Sequence, residues 1–373
     1  MEQAAVSRPL WRTILERIGL SILGVIIILL VVEFSLRAYF RFFGSQADKI
    51  MYVYSVEEII EANPSFTGLP FVGFGPSDAS FDHNRLGFRG KETTVEKPAG
   101  VFRIATTGGS TTYGAGITAE EAWPAQLERI LHEDYGYTHV EVINTASTAY
   151  TTWNSLANFA FRVVDLKPDV LIVYHATNDA KARLTKPECY TGESPIRGLY
   201  KGQWRTSGPN LGPSTIIRFL GVGRGWVPNA NELNSWILPV EDSVNGCERD
   251  PQMTDEDLLK INQPIFSERN LRNLVYLTRA NNTEVLFSTW AYYGPLVAPD
   301  YWETAFDEHN AITRRVAEDL DTLFYDLMGS LPDDRDLWLS DGEHQTAAGA
   351  AEQARQYAAY LIETGIILPP EQP

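Results

Sequence analysis

From Gly100 onward, short β-branched runs alternate with longer stretches of helical periodicity, and this alternation restricts the fold more than any other feature of the sequence. The strand-like runs are Phe102 to Thr107, Val140 to Thr145, Asp169 to His175, Glu284 to Thr289 and Leu323 to Leu327. Helical patterns follow each of them, at Ala122 to Tyr135, Thr152 to Leu166, Ser267 to Asn281, Trp302 to Leu320 and Thr346 to Thr364. Strands joined through helices run parallel, and every right-handed crossover lays a helix on one face of the sheet. The expectation is an α/β fold: a three-layer sandwich around a five-stranded parallel sheet, spanning 101–365. With 44 % apolar residues the chain has ample material for such a core.

One stretch breaks the rhythm. Lys181 to Pro264 is too long for a connection between a helix and a strand. It holds Trp204, Trp226 and Trp236, many Gly and Pro residues, and both cysteines of the chain, Cys189 and Cys247. We read 181–264 as an insertion over the carboxyl edge of the sheet, serving either substrate binding or plain packing. Two cysteines exclude a multi-cysteine zinc site. A single disulfide closing the insert and two unpaired thiols both stay open.

Ahead of the α/β region lies an apolar run, IGLSILGVIIILLVV, from Ile18 to Val32, which carries no charge and continues past Glu33 to Leu36. As a helix it covers roughly 28 Å, the thickness of a hydrocarbon core. Arg8, Arg12 and Arg17 precede it and Arg37, Arg41 and Lys49 follow, so basic residues alone do not orient it. The bulky EFSLRAYF after the run offers no small-residue cleavage site, which favours an uncleaved signal anchor. The organisation read from sequence is therefore a cytoplasmic tail at 1–17, a transmembrane anchor at 18–40 and an irregular juxtamembrane lead-in at 41–100, with the large domain outside the cytoplasm. Glu33 is expected to reach the interface by snorkelling, the less favoured alternative being a polar contact between helices.

Acidic residues outnumber basic ones by 48 to 31, a formal charge of −17. Such a chain repels phosphate backbones and has no basic stripe to offset the repulsion, which argues against nucleic acid as a partner.

The residues that carry chemistry sit at strand ends. T-G-G-S-T-T places Ser110 directly after the first strand, on a turn that Gly108 and Gly109 allow to be sharp. D-G-E-H puts Asp341 and His344 three residues apart before the last helix. Serine is a poor nucleophile until an imidazole takes its proton, and the imidazole needs a carboxylate to fix its tautomer. V-Y-H-A-T-N-D ends the third strand with Asn178, whose amide is placed to meet an oxygen that becomes negative. N-T-A-S-T-A-Y follows the second strand and offers a backbone N–H to the same oxygen. Each signal alone is ambiguous: a Gly-Gly-Ser turn is more often only a turn, and Asp-x-x-His often only a helix start. Together they fall on one edge of one sheet. His175, beside Asn178, is read as a satisfied structural histidine.

On these blocks the chain resembles the SGNH (GDSL-like) hydrolase family over roughly residues 100–363. The resemblance implies a flavodoxin-like fold, Ser110 as nucleophile, His344 as base and Asp341 as its carboxylate, with the oxyanion met by the Ser110 and Ala149 N–H groups and the Asn178 amide. It implies no metal or organic cofactor, and an ester substrate: an O-acetylated glycan of the cell envelope or a lipid ester. N-R-L-G-F-R-G at 84–90 is similar to the lead-in of membrane-attached members. Three positions depart from the family pattern: Gly109 stands where Asp is usual, and Ala149 and Ala176 stand where Gly is usual. None removes a catalytic side chain. An acyltransferase acting on an envelope polysaccharide, and a catalytically silent glycan- or partner-binding protein, are the alternative readings of the same constellation.

Overall fold

The computed structural model describes residues 10–56, 58–59, 66–69, 72–76, 82–194, 204–206, 212–226, 237–239 and 252–369. Five strands, β1 (Phe102–Gly108), β2 (Val140–Asn144), β3 (Val170–Tyr174), β4 (Glu284–Ser288) and β5 (Leu323–Tyr325), form one sheet in the order β2-β1-β3-β4-β5. All neighbouring pairs are parallel. The bounds fall within two residues of those read from the sequence, because four of the strands carry β-branched residues, β5 carries Phe324 and Tyr325, and each is ended by a Gly or polar residue.

Alternation along the strands divides the core in two. Ile104, Val142, Ile172 and Leu286 face one layer, with Trp123, Leu127 and Ile130 of α3 (Trp123–Glu133) and Ala354, Tyr357 and Leu361 of α8 (Ala347–Glu363). Ala105, Ile143, Leu171, Val173 and Phe287 face the other, against Phe159 of α4 (Thr152–Phe161), Leu274 of α6 (Ile265–Ala280) and Val316 of α7 (Tyr301–Leu320). A sheet covered on both faces needs apolar side chains at successive positions, which is why β3 is buried throughout. The chain leaves β1 toward β2 on one side and returns to β3 on the other, so the connections diverge at the β1/β3 junction. Crevices in parallel sheets open at the carboxyl ends of such a pair.

The N-terminal helix α1 runs over Leu10–Phe43. Its segment Ile14–Phe43 has a mean hydropathy of 2.6 in its most apolar window and buries none of that window in the protein, so it is long and apolar enough to cross a membrane. Glu33 does not snorkel freely. Its carboxylate accepts hydrogen bonds from Ser214 Oγ at 2.9 Å, Thr215 N at 2.9 Å and Ile216 N at 3.0 Å, the start of α5 (Thr215–Gly223). Those N–H groups lack carbonyl partners a turn earlier, so a carboxylate there satisfies them. The polar contact between helices is what the structure contains.

The lead-in is not irregular throughout: Phe66–Leu69 pairs antiparallel with Gly73–Pro76. Ser45 and Asp48 cap α2 (Gln46–Tyr52) reciprocally. Farther on, Asn84 Oδ1 accepts from Leu86 N and Phe88 N, each at 3.0 Å, and closes a turn whose Gly87 takes a positive φ of 74°. That turn drives Phe88 into the core and Arg89 against the α/β body, where its guanidinium lies 4.0 Å over the Tyr113 ring and donates to Ile117 O at 2.7 Å. Periodicity could not show this, because the segment is held by side-chain to backbone bonds and not by repeating structure.

Of the region read as an insertion, 195–203, 207–211, 227–236 and 240–251 lie outside the described residues, Trp236 and Cys247 among them. Cys189 is disulfide-bonded. The two ends of the excursion are joined. Arg183, fully buried, donates from Nε to Asn262 O at 2.7 Å and from Nη2 to Leu259 O, while Asn262 Nδ2 donates back to Arg183 O at 2.6 Å. Replacing Arg183 with Ala leaves two buried carbonyls unpaired, and we predict a loss of about 3 kcal/mol, measured as a lower urea midpoint at unchanged slope. A change under about 1 kcal/mol contradicts this account of the insert.

Candidate active site

Ser110 opens a one-turn helix, Ser110–Tyr113, directly after β1. Two glycines make that turn possible for steric reasons. A Cβ on Gly108 would lie 2.1 Å from Thr112 Oγ1 and 2.6 Å from Tyr174 O, and one on Gly109 would lie 2.3 Å from Asn178 Nδ2. The Ser110 N–H, first in its helix, has no intrahelical carbonyl one turn earlier to bond to.

Ser110 Oγ is 2.8 Å from His344 Nε2, and His344 Nδ1 is 2.6 Å from Asp341 Oδ2. The other Asp341 oxygen accepts the N–H groups of Glu343 at 3.0 Å and His344 at 2.9 Å. Partial burial pushes the Asp341 carboxyl up, but the hydrogen bond and charge of His344 together with those two N–H groups outweigh it, and the acid sits well below the usual carboxylate range. The loop carrying both residues is held at several points. Leu339 N donates to His344 O at 2.8 Å, and Tyr293 N to Gly342 O at 2.8 Å. Gly342 has a φ of 70°, and a Cβ there would stand 2.8 Å from Tyr293 O.

Glu343, between the two, was not singled out by sequence. It accepts from Thr177 Oγ1 at 2.9 Å and Lys181 Nζ at 2.8 Å, tying the loop to the helix Thr177–Lys181 that carries Asn178. Only its position inside D-G-E-H hinted at a role.

Asn178 follows β3 on the first turn of that helix, and its Nδ2 donates to Tyr150 O at 3.0 Å. The space beside it is the space that a side chain at 109 would fill, which accounts physically for Gly at that position. Ala149 has a φ of 61°, in the left-handed region that costs an L-residue roughly 1–2 kcal/mol. The backbone angles that glycine adopts freely are therefore kept here with a Cβ present. Ala149→Gly is predicted to raise stability by up to about 1 kcal/mol in chemical denaturation while leaving kcat/KM within about twofold. A destabilised Gly variant would mean that the Cβ contributes packing worth more than the strain.

Beneath the crevice runs a buried polar chain. Thr107 Oγ1 donates to Ser155 Oγ at 2.8 Å, which lies 2.8 Å from His175 Nε2, and His175 Nδ1 stands 3.6 Å from Asp179 Oδ2. Asp179 accepts Thr152 Oγ1 at 2.6 Å. His175 is thus a buried, hydrogen-bonded structural residue. Burial lowers its pKa to about 3 and raises that of Asp179 to about 7, the hydrogen bonds from Thr152 opposing the latter only in part. A carboxyl whose folded pKa lies above its unfolded value stabilises the fold most below the unfolded pKa, and that contribution is lost as pH rises through the folded value. The stability of wild type relative to Asp179→Asn should therefore fall between about pH 4 and pH 8. Equilibrium denaturation across that range checks it, and a difference independent of pH would contradict the protonated acid.

A cavity of about 350 Å³ lined by Phe102, Asp169, Glu284 and Leu323 opens at the amino ends of the strands, the far edge from Ser110. Among the described residues no group of three or more His, Cys, Asp or Glu is placed to hold a metal ion.

Residues 106–352 match the model of the GDSL-like lipase/acylhydrolase family, a span that takes in Ser110, Ala149, Asn178, Asp341 and His344. The chain belongs to that family. It is an ester-hydrolysing enzyme on a flavodoxin-like sheet. No curated protein sequence matches it. Among solved structures it is similar to a lipase/acylhydrolase from Enterococcus faecalis, with 15 % identity and a TM-score of 0.45 over 73 % of this chain and 99 % of that one. A catalytic mutant of an acetylxylan esterase from Geobacillus stearothermophilus is 16 % identical, with a TM-score of 0.42 over 72 % of this chain and 97 % of that one.

Proposed function

We propose that this GDSL-like enzyme cleaves its ester through Ser110, His344 and Asp341 at the outer face of a membrane to which α1 anchors it. The reading is carried by the unbroken relay of 2.8 and 2.6 Å from the serine hydroxyl to the imidazole and on to the carboxylate. Ser110 Oγ forms a bond to the ester carbonyl carbon as its proton passes to His344 Nε2. Asp341, ionised and bonded to Nδ1, keeps Nε2 as the accepting nitrogen and stabilises the imidazolium. Negative charge gathers on the carbonyl oxygen and meets the N–H groups of Ser110 and Ala149 and the Asn178 amide, each such donor lowering the barrier by about 3 kcal/mol. The tetrahedral intermediate collapses, the alcohol leaves with the proton from His344, and an acyl group remains on Ser110. Water then attacks the acyl carbon while its proton passes to His344, which returns it to Ser110 Oγ as the C–Oγ bond breaks and the carboxylic acid departs.

The substrate class that fits a domain held close to a bilayer is an ester of the envelope, either an O-acetylated glycan or a lipid. Retention of α1 is supported by its contacts: Glu33 binds the start of α5, Arg41 pairs with Glu58 at 2.8 Å, and the Phe40 ring stacks on Tyr52 at 4.3 Å. Removal of the helix as a signal peptide would leave each of those partners exposed.

A fluorophosphonate probe is expected to label the wild-type enzyme and not Ser110→Ala, and Ser110→Ala and His344→Ala to lose at least about 10⁴-fold in kcat. Equal labelling of Ser110→Ala would remove the nucleophile assignment. A panel of short-chain and long-chain esters then separates acetyl from lipid substrates.

A further inference from the structure

The helix α5 belongs to the region read as an insertion over the sheet edge, yet its first turn packs on α1. Its start is fixed there by Glu33, the first charged residue after the uncharged run that ends at Val32. A carboxylate in that position lies at the boundary between hydrocarbon and headgroups. The contact therefore transfers a membrane depth from α1 to the first turn of α5. The second turn stays beside α1, since the ring of Phe219 lies 6.3 Å from that of Phe40 and 5.9 Å from that of Tyr52.

One side of α5 is used up by this packing. Thr215 and Gly221 are buried, Val222 packs against the cluster of Ile50, Met51 and Ile59, and Arg218 donates to Tyr54 O at 2.6 Å. The outward side presents Ile217 and Leu220, 50 and 51 % exposed, followed by Trp226 at 52 %, while Phe219, 47 % exposed, lies at its border beside Phe40 and Tyr52. Arg224 lies 5.7 Å over that indole. On α1, Phe34, Tyr39 and Phe43 are exposed as well. Nine residues reach only about 13 Å, too short to cross a bilayer but suited to lying within its interface, where Trp and Arg are favoured.

We propose that α5 is a second membrane-contact element, its Ile217 and Leu220 face seated in the interfacial layer of the bilayer beside α1 at a depth set by Glu33. The inference rests on the reading of α1 as a retained anchor. Two attachment points some distance apart in the chain fix the tilt of the domain as well as its distance from the surface, which a single helix and a flexible stalk do not.

The test uses the full, oxidised chain in phosphatidylcholine vesicles, with an environment-sensitive fluorophore on a cysteine introduced at Leu220, at Phe34 within the anchor, or at Ile265, an exposed site on α6; unlabelled parent protein serves as blank. Lipid-borne nitroxide is expected to quench the Leu220 probe at least about half as strongly as the Phe34 probe and several-fold more than the Ile265 probe. In Glu33→Leu, quenching at Leu220 should drop by about half or more with Phe34 unchanged. Leu220 quenched by aqueous iodide like Ile265, while Phe34 is lipid-buried, overturns the proposal and leaves the anchor intact. Shielding of Leu220 from both quenchers places protein on that face and overturns it equally. If Phe34 itself is open to iodide, the anchor reading and this proposal fall together.

Discussion

A parallel sheet sends the carboxyl end of every strand to one edge, and in this molecule everything chemical depends on that. Ser110 leaves β1, Asn178 follows β3 and Ala149 lies on the loop after β2, so three parts of the chain that are far apart in sequence meet within one crevice. The helix α8 completes the arrangement from the other layer, since the loop before it returns to the same edge with Asp341 and His344. The reversal of connection at the β1/β3 junction opens space there. Among the described residues no strand crosses the gap between the two βα turns, and the turn that carries Ser110 lies directly beside the Asn178 amide.

Close packing at that edge explains the departures from the family pattern better than any property of the residues singly. Gly109 and the Asn178 amide compete for one volume, so a side chain at 109 and the present amide position are mutually exclusive. Ala149 keeps a left-handed φ despite its Cβ, because Tyr150 beside it is fully buried and holds the backbone in place. Below, the polar chain from Thr107 through Ser155 and His175 to Asp179 replaces what is elsewhere an apolar interior. Satisfied networks of this kind fix the relative positions of the elements they join, here α4 and the ends of β1 and β3.

The N-terminal part of the chain works by the same logic at lower density. A buried Arg89 under Tyr113, a capping box on α2 and a carboxylate at the head of α5 replace repeating structure as the means of attachment. Glu33 is informative because a charge within an apolar helix is costly unless it has partners, and three donors from a segment about 180 residues later supply them.

The strands, the helices and the apolar N-terminal helix were legible because each is a local pattern: strand-like runs, 3.6-residue periodicity and a stretch of uncharged residues long enough for a bilayer. The candidate site residues could be picked out too, as motifs at strand ends, since a parallel sheet leaves only one edge on which such motifs can gather. What the amino-acid order could not yield is whatever rests on contact between distant segments. The clamp of Glu343 on Lys181 and Thr177, the joining of Arg183 to Asn262, the burial of Phe88 and Arg89, and the seat of α5 on α1 have no period and no motif. Only the packed chain decides them, because a hydrogen bond or a filled volume depends on where two surfaces meet, and folding alone brings those surfaces together.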